Sequence, residues 1–143
     1  MRLNRLSGVA AALVVAACSS DPTGPDRGVL VGLFGNPDQL AQLVALHASA
    51  ELQFPCGEYF AVSGPIRLNG DLTFRAGGKY YPMSFGIPAG PRDGFAVGAY
   101  DTATGRVHLR LELGGDDPRP YDLQPGVSAG LNHVVCALSA TAG

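Results

Sequence analysis

The sequence predicts an all-β domain: a small antiparallel β-barrel or sandwich of about eight strands. Three observations lead there. Apolar and polar residues alternate at period two in short runs, most cleanly at 106–113, where Val107, Leu109, Leu111 and Leu113 share one side and Arg106, His108, Arg110 and Glu112 the other. The 20 glycines and 11 prolines punctuate apolar segments without any period, as turns do. The segments between them have strand length, and closing them into a barrel would remove the exposed edges of so apolar a sheet.

At the start of the chain, Arg2 and Arg5 precede an apolar run over 6–17 that only Ser7 and Gly8 interrupt, and small residues then lead into Cys18. That is the layout of a secretory signal. The run stops short of the roughly 20 apolar residues that a spanning helix needs. Val15-Ala16-Ala17-Cys18 resembles the lipobox of bacterial lipoproteins. The resemblance implies that the Cys18 thiol receives a diacylglyceryl group, that the signal is cut before it, and that the new amine is often acylated as well. A thiol is the good nucleophile that this step needs, and two or more acyl chains anchor firmly at about 0.8 kcal/mol per buried CH₂. The alternative is an ordinary secretory signal with a chance cysteine. The chain thus divides into a signal peptide at 1–17, a lipid-anchored flexible tether at 18–27 and a single β-domain at 28–143. By analogy with the sorting rule of enteric lipoproteins, Ser19 is compatible with the outer membrane, facing the periplasm or the cell surface.

Removing residues 1–17 from the 143 leaves 126, which suits one domain. Arg2 and Arg5 leave with the signal, so the mature chain carries 8 basic and 12 acidic residues, a net charge near −4. Such a balance does not neutralise phosphates, which argues against nucleic acid as a partner. With Cys18 lipidated, Cys56 and Cys136 remain, 80 residues apart. An even pair in an exported chain reads as a disulfide, worth up to about 4 kcal/mol in the chain-entropy model. The alternative is two buried free thiols.

In the tether, 19–27 holds no large apolar residue, and its Pro and Gly speak against regular structure. Residues 29–34 form a strand apolar on both sides, which should sit centrally or close a barrel, and Gly35-Asn36-Pro37 ends it. The stretch 37–48 is ambiguous. Asn36, Pro37 and Asp38 are helix-start signals, and Leu40, Leu43, Val44 and His47 recur at helical spacing. Against that, 43–48 has strand length and 51–54 alternates directly after it, so a strand pair is the preferred reading. Leu52, Phe54 and Cys56 then share the inward face. Ile66 to Phe74 reads as a hairpin about a type I′ Asn69-Gly70 turn, with Ile66, Leu68, Leu72 and Phe74 on one side. Residues 77–93, rich in glycine, proline and aromatics, fit no single regular element and read as a long loop of functional character. A strand at 95–100, a hairpin loop at 101–105, the strand 106–113, a turn at 114–120, a short strand at 121–123 and a closing strand at 132–138 with Cys136 inward complete the domain.

Gly32-Leu33-Phe34-Gly35, the strand 52–56, the 66–74 hairpin, Gly105-Arg106-Val107 and the closing Cys136 together resemble a group of small bacterial lipoproteins of unassigned function. Members begin with a Gly-x-Trp-Gly-like strand and hold two cysteines in similar places; here Phe34 stands where Trp is usual. The Gly-x-aromatic start is also similar to that of lipocalins. The resemblance implies a barrel-like fold and an anchored location, and it carries no catalytic residues.

His47, His108 and His133 could supply imidazoles to zinc, but no two have short ligand spacing. Asp116-Asp117 lacks the regularly spaced third acid of a calcium loop. Nucleophile elbows, zincin helices and glycine-rich phosphate loops are missing. The expectation is therefore a non-catalytic, lipid-anchored module of the cell envelope without cofactor or metal. Tyr80, Tyr81 and Phe85 are its candidate contact residues, meeting a protein or glycan partner. The alternatives are a lipocalin-like carrier whose barrel holds a small apolar ligand, and after that an envelope enzyme with carboxylates brought together by folding.

Overall fold

A computed structural model describes residues 23–84 and 87–133. The signal peptide, Cys18, Phe85, Cys136 and most of the expected closing strand lie outside the described residues. Among the described residues eleven strands follow one another: β1 (Gly24–Asp26), β2 (Val29–Asn36), β3 (Ala41–Ala45), β4 (Ala50–Gln53), β5 (Tyr59–Val62), β6 (Thr73–Tyr81), β7 (Met83–Ser84), β8 (Ile87–Pro88), β9 (Arg92–Tyr100), β10 (Val107–Leu113) and β11 (Arg119–Pro125). Eight of them close an antiparallel barrel in the order β2-β3-β4-β5-β6-β9-β10-β11, with β11 paired back onto β2. Chain order and barrel order coincide, so the topology is an up-and-down meander. The β7–β8 hairpin is an excursion between β6 and β9, and β1 is an extra strand on β2. The doubly apolar β2 closes the barrel by pairing with both β11 and β3, one of the two places that its pattern allowed.

Inward positions carry the core. Leu30, Phe34, Phe60, Ile66, Val107, Leu111 and Leu123 are fully buried, with Leu43 and Leu52 at 1% exposure. Between the inward rings of Phe74 and Tyr80 on β6, and before Tyr100 on β9, the inward positions are small: Ala76, Gly78, Gly94, Ala96 and Gly98. A Cβ on Gly78 would lie 2.8 Å from the Phe60 ring and one on Gly94 3.3 Å from it. The two glycines therefore leave the space that Phe60 fills, as small and large residues complement each other in a narrow barrel.

Both ends are covered. At the lower end, where β2 begins, the β5–β6 connection crosses the barrel and joins the opposite wall: Leu30 N–H donates to Ile66 O at 2.9 Å and Leu68 N–H to Gly28 O at 2.9 Å. This seats Ile66 across the opening. At the upper end, Phe54 lies 6.1 Å from Tyr80 and 5.5 Å from Tyr121, ring centre to ring centre. After β11 the chain runs outside the barrel as a strap. The Gly126 N–H donates to Leu33 O at 2.7 Å, and Ala129 N–H and the Ser128 hydroxyl donate to Gln42 Oε1, both at 3.1 Å. Gly35 makes this crossing possible, because a Cβ there would sit 2.2 Å from Val127 O.

Several expectations are corrected. Gly24–Asp26, read as part of the structureless tether, pairs with β2. Strand β3 bears out the strand reading of 37–48; Asn36 caps a turn instead of a helix, its Oδ1 accepting from Asp38 N–H and Gln39 N–H at 2.9 and 3.1 Å. Cys56 does not point inward. Pro55 ends the alternation, and Cys56 sits exposed in a 3₁₀ turn (Pro55–Gly57) at φ 65. The 66–74 turn is longer than type I′: Asn69 N–H donates to Thr73 O, and Leu72, at φ 64, is the left-handed residue. The expected loop at 77–93 is mostly strand, since β6 runs to Tyr81 and β9 starts at Arg92. Residues 121–123 belong to the longer β11, and Leu131–His133 form a 3₁₀ turn where the closing strand was to begin.

Candidate functional site: the outer face of β6, β9, β10 and β11

Four neighbouring strands, β6, β9, β10 and β11, present their outward residues as cross-strand rows. One row reads Thr73, Ala99, His108, Asp122, and the next Arg75, Val97, Arg110, Pro120. In each, small apolar side chains on β9 lie between polar ones on its neighbours. The result is an open groove of about 720 Å³ floored by Val97 and Ala99 and walled by Arg75, His108, Arg110, Asp122, Asn69 and Gln39. Gln39 reaches it from the β2–β3 turn, its Oε1 accepting from Asp122 N–H at 2.8 Å.

The walls are charged and internally paired. Glu112 accepts from Arg75 Nη1 at 2.9 Å and from Arg110 Nε at 2.8 Å. Arg110 first, then Arg75, holds its carboxyl below the usual carboxylate range. The Arg75 guanidinium also lies 3.7 Å from the centre of the Phe95 ring, and Phe95 is 41% exposed. Asp122 accepts from Arg106 at 3.0 Å through Oδ2. Its Oδ1 lies 3.4 Å from His108 Nδ1 and is buried without a hydrogen bond. Guanidinium, imidazole, carboxylate and amide groups thus converge on one concave surface, an arrangement suited to hydrogen-bonding a polar partner. The hydroxyl in the first row, on Thr73, is committed to Asp71 at 2.6 Å.

The residues singled out from sequence fall elsewhere. Tyr80 is not an exposed contact: it points inward at 3% exposure and its hydroxyl donates to Glu58 Oε2 at 2.8 Å. Burial first, and the Glu58 bond second, push its phenol above the ordinary tyrosine value; burial does the same to Tyr121. Arg119 covers the Tyr80 ring at 5.6 Å. Tyr81, its neighbour on β6, faces outward and stacks on Tyr59 at 4.7 Å. The two tyrosines therefore lie on opposite sides of the sheet, as adjacent strand residues must. His47 pairs with Asp26 at 2.6 Å, away from the groove that holds His108. Among the described residues no three His, Cys, Asp or Glu are grouped to hold a metal ion. Asp116 is instead paired with Arg92 at 3.0 Å.

Sequence reasoning missed Glu58 and Arg119, which complete the upper stopper. The outward pattern of β10 did signal His108 and Arg110. No helix among the described residues is long and apolar enough to cross a membrane. On β6, β10 and β11 the outward residues are largely polar and the inward ones apolar, the reverse of the alternation in a membrane-spanning barrel. No protein-family model matches the sequence, and no curated protein or solved structure matches it either.

Proposed function

We propose that the protein is a non-catalytic binding or interaction module of a bacterial cell envelope, held by a lipid on Cys18 and working through the outer face of its barrel. The observation that carries this reading is the filled interior. Phe34, Phe60 and Ile66 occupy the barrel at zero exposure, with Ile66 set across one end and the Phe54, Tyr80 and Tyr121 rings across the other. A protein whose inside is taken up by its own side chains meets its partner on the outside, where the His108 and Arg110 groove offers polar groups to a protein or glycan. The lipobox resemblance supports the anchor, and Ser19 supports the outer membrane.

A Cys56–Cys136 disulfide belongs to the same reading. The strap brings Leu131 and Asn132 to a small recess of about 220 Å³ that Cys56 also lines, and Cys136 follows Asn132 by four residues. The bridge would fasten the strap to the β4–β5 turn. The second reading, a carrier of a small apolar ligand, shares the barrel architecture and needs a hollow interior.

The groove is tested by crosslinking the acylated protein to its partners in intact envelopes. His108→Ala with Arg110→Ala, both on exposed positions, should abolish the crosslinked species seen with the native chain. Undiminished crosslinking would refute the assignment of this face.

A further inference from the structure

Thr23, the first described residue, packs on Gly32: a Cβ at Gly32 would sit 2.6 Å from Thr23 Cγ2. Beside this point the outer faces of β2 and β3 form a groove of about 430 Å³ lined by Val31, Leu33, Val44, Leu46 and His47. Its character is unlike the groove described above. The outward residues Val31, Leu33 and Val44 are all apolar, Val31 nearly buried at 6% exposure and Leu33 and Val44 half-buried, and Leu46, in the turn after β3, is 53% exposed. Among the described residues, charged groups stand at its edge, where Asp26 pairs with His47 at 2.6 Å and where Glu51 lies opposite Val44.

We infer that this apolar face, centred on Leu46, is the surface by which the barrel rests on the lipid bilayer that holds Cys18. The inference rests on the anchored reading of Cys18. It follows from the length of the chain between the two points. Cys18 precedes Thr23 by five residues, which even fully extended span at most about 18 Å. Crossing the headgroup layer uses roughly 5–8 Å of that, since the polar regions make up the difference between a core of about 30 Å and a bilayer of about 40–45 Å. The face bearing Thr23 is therefore kept within about 13 Å of the lipid surface. An exposed leucine beside apolar strand residues is the kind of group that settles at such an interface, adding to the acyl anchor and fixing its orientation. Four places round the barrel from β2 and β3 stand β6 and β9. Resting on Leu46 thus turns Phe95, Arg75 and the polar groove away from the membrane, toward whatever they bind.

The chain contains no tryptophan, so Leu46→Trp and Phe95→Trp each report from a single site, and both positions are exposed. The full chain is purified from a host that processes lipoproteins, its acyl mass is read by mass spectrometry, and it is reconstituted into phosphatidylethanolamine–phosphatidylglycerol vesicles with and without dibrominated acyl chains. The L46W protein should lose about half of its emission or more to the brominated lipid, and the F95W protein about a tenth or less. Equal quenching at the two positions, or an unquenched L46W protein that floats with the vesicles and carries the acyl mass, overturns the docking face while leaving the anchor intact. A chain without acyl mass that stays off the vesicles overturns the anchor, and the docking face falls with it.

Discussion

Replacing Phe60 with alanine tests the packing of the barrel at its most constrained point. The side chain has zero exposure, and on one side its ring meets Gly78 and Gly94, where built Cβ atoms would stand at 2.8 and 3.3 Å. Truncation of a buried Phe costs about 3–5 kcal/mol, and the part above the transfer free energy depends on how well neighbours collapse into the void. Two glycines have no side chain to swing inward, so the expected loss is in the upper half of that range, about 4 kcal/mol. A domain with a total stability of about 5–15 kcal/mol survives this, though narrowly at the low end. Urea unfolding followed by tyrosine fluorescence should show the midpoint falling by about 2–3 M at an unchanged slope near 1.5 kcal/mol/M. Phe60→Leu, which keeps most of the volume, should cost about 1–1.5 kcal/mol and remains measurable if the alanine variant fails to fold. A loss under about 1 kcal/mol for Phe60→Ala would mean that the ring stands in open space, and the filled-barrel reasoning would be refuted.

Other consequences follow from particular contacts. Gly35→Ala places a Cβ 2.2 Å from Val127 O and 3.1 Å from Ala129 N; because both are backbone atoms the strap must lift, at about 1–3 kcal/mol, and hydrogen exchange over 126–132 should accelerate while the core strands stay protected. Tyr80 and Tyr121 hold their phenol protons more tightly when folded than the ordinary value of 10.0. The folded state then binds more protons than the unfolded state above that pH, so the contribution is complete below about pH 10 and is lost as pH rises through the folded-state values. Melting temperature should accordingly fall above pH 10, and Tyr80→Phe should flatten that fall; an alkaline limb identical in the variant would count against the Tyr80 stopper. Cys18→Ser should leave the protein out of the membrane fraction and shift its size, and a variant still in the membrane at normal size would end the lipoprotein reading.

How much of this was legible in the sequence differs from element to element. Strand β10 was, because its neighbours bury one face and leave the other to water, and alternation records that directly. Strand β2 was legible for a different reason, since Val29 to Phe34 runs without a polar phase: its inward Leu30 and Phe34 are fully buried and its outward Val31 is only 6% exposed. Alternation misled at Cys56, where it was carried past Pro55 into a turn. The 77–93 region failed more instructively. Gly78 looked like a loop residue, but it and Gly94 are inward strand positions whose missing side chains make room for Phe60, a requirement visible only once β5, β6 and β9 are neighbours. The same applies to the Asn69-Gly70 turn, where the left-handed residue is Leu72, because the crossing segment at Ile66 sets the length of the connection. Of the candidate site, the outward orientation of His108 and Arg110 could be read from β10. Their alignment with Thr73, Arg75 and Asp122 could not, since a row across four strands exists only through their register.

Native mass spectrometry of the mature domain, 19–143, purified gently from an exporting host, tests most directly whether the barrel works through its surface. A bare mass, two protons below the reduced value, is the result expected for a filled interior with Cys56 and Cys136 bridged. An adduct of lipid or metabolite mass that departs on denaturation would contradict it and give the barrel a hollow, carrying role.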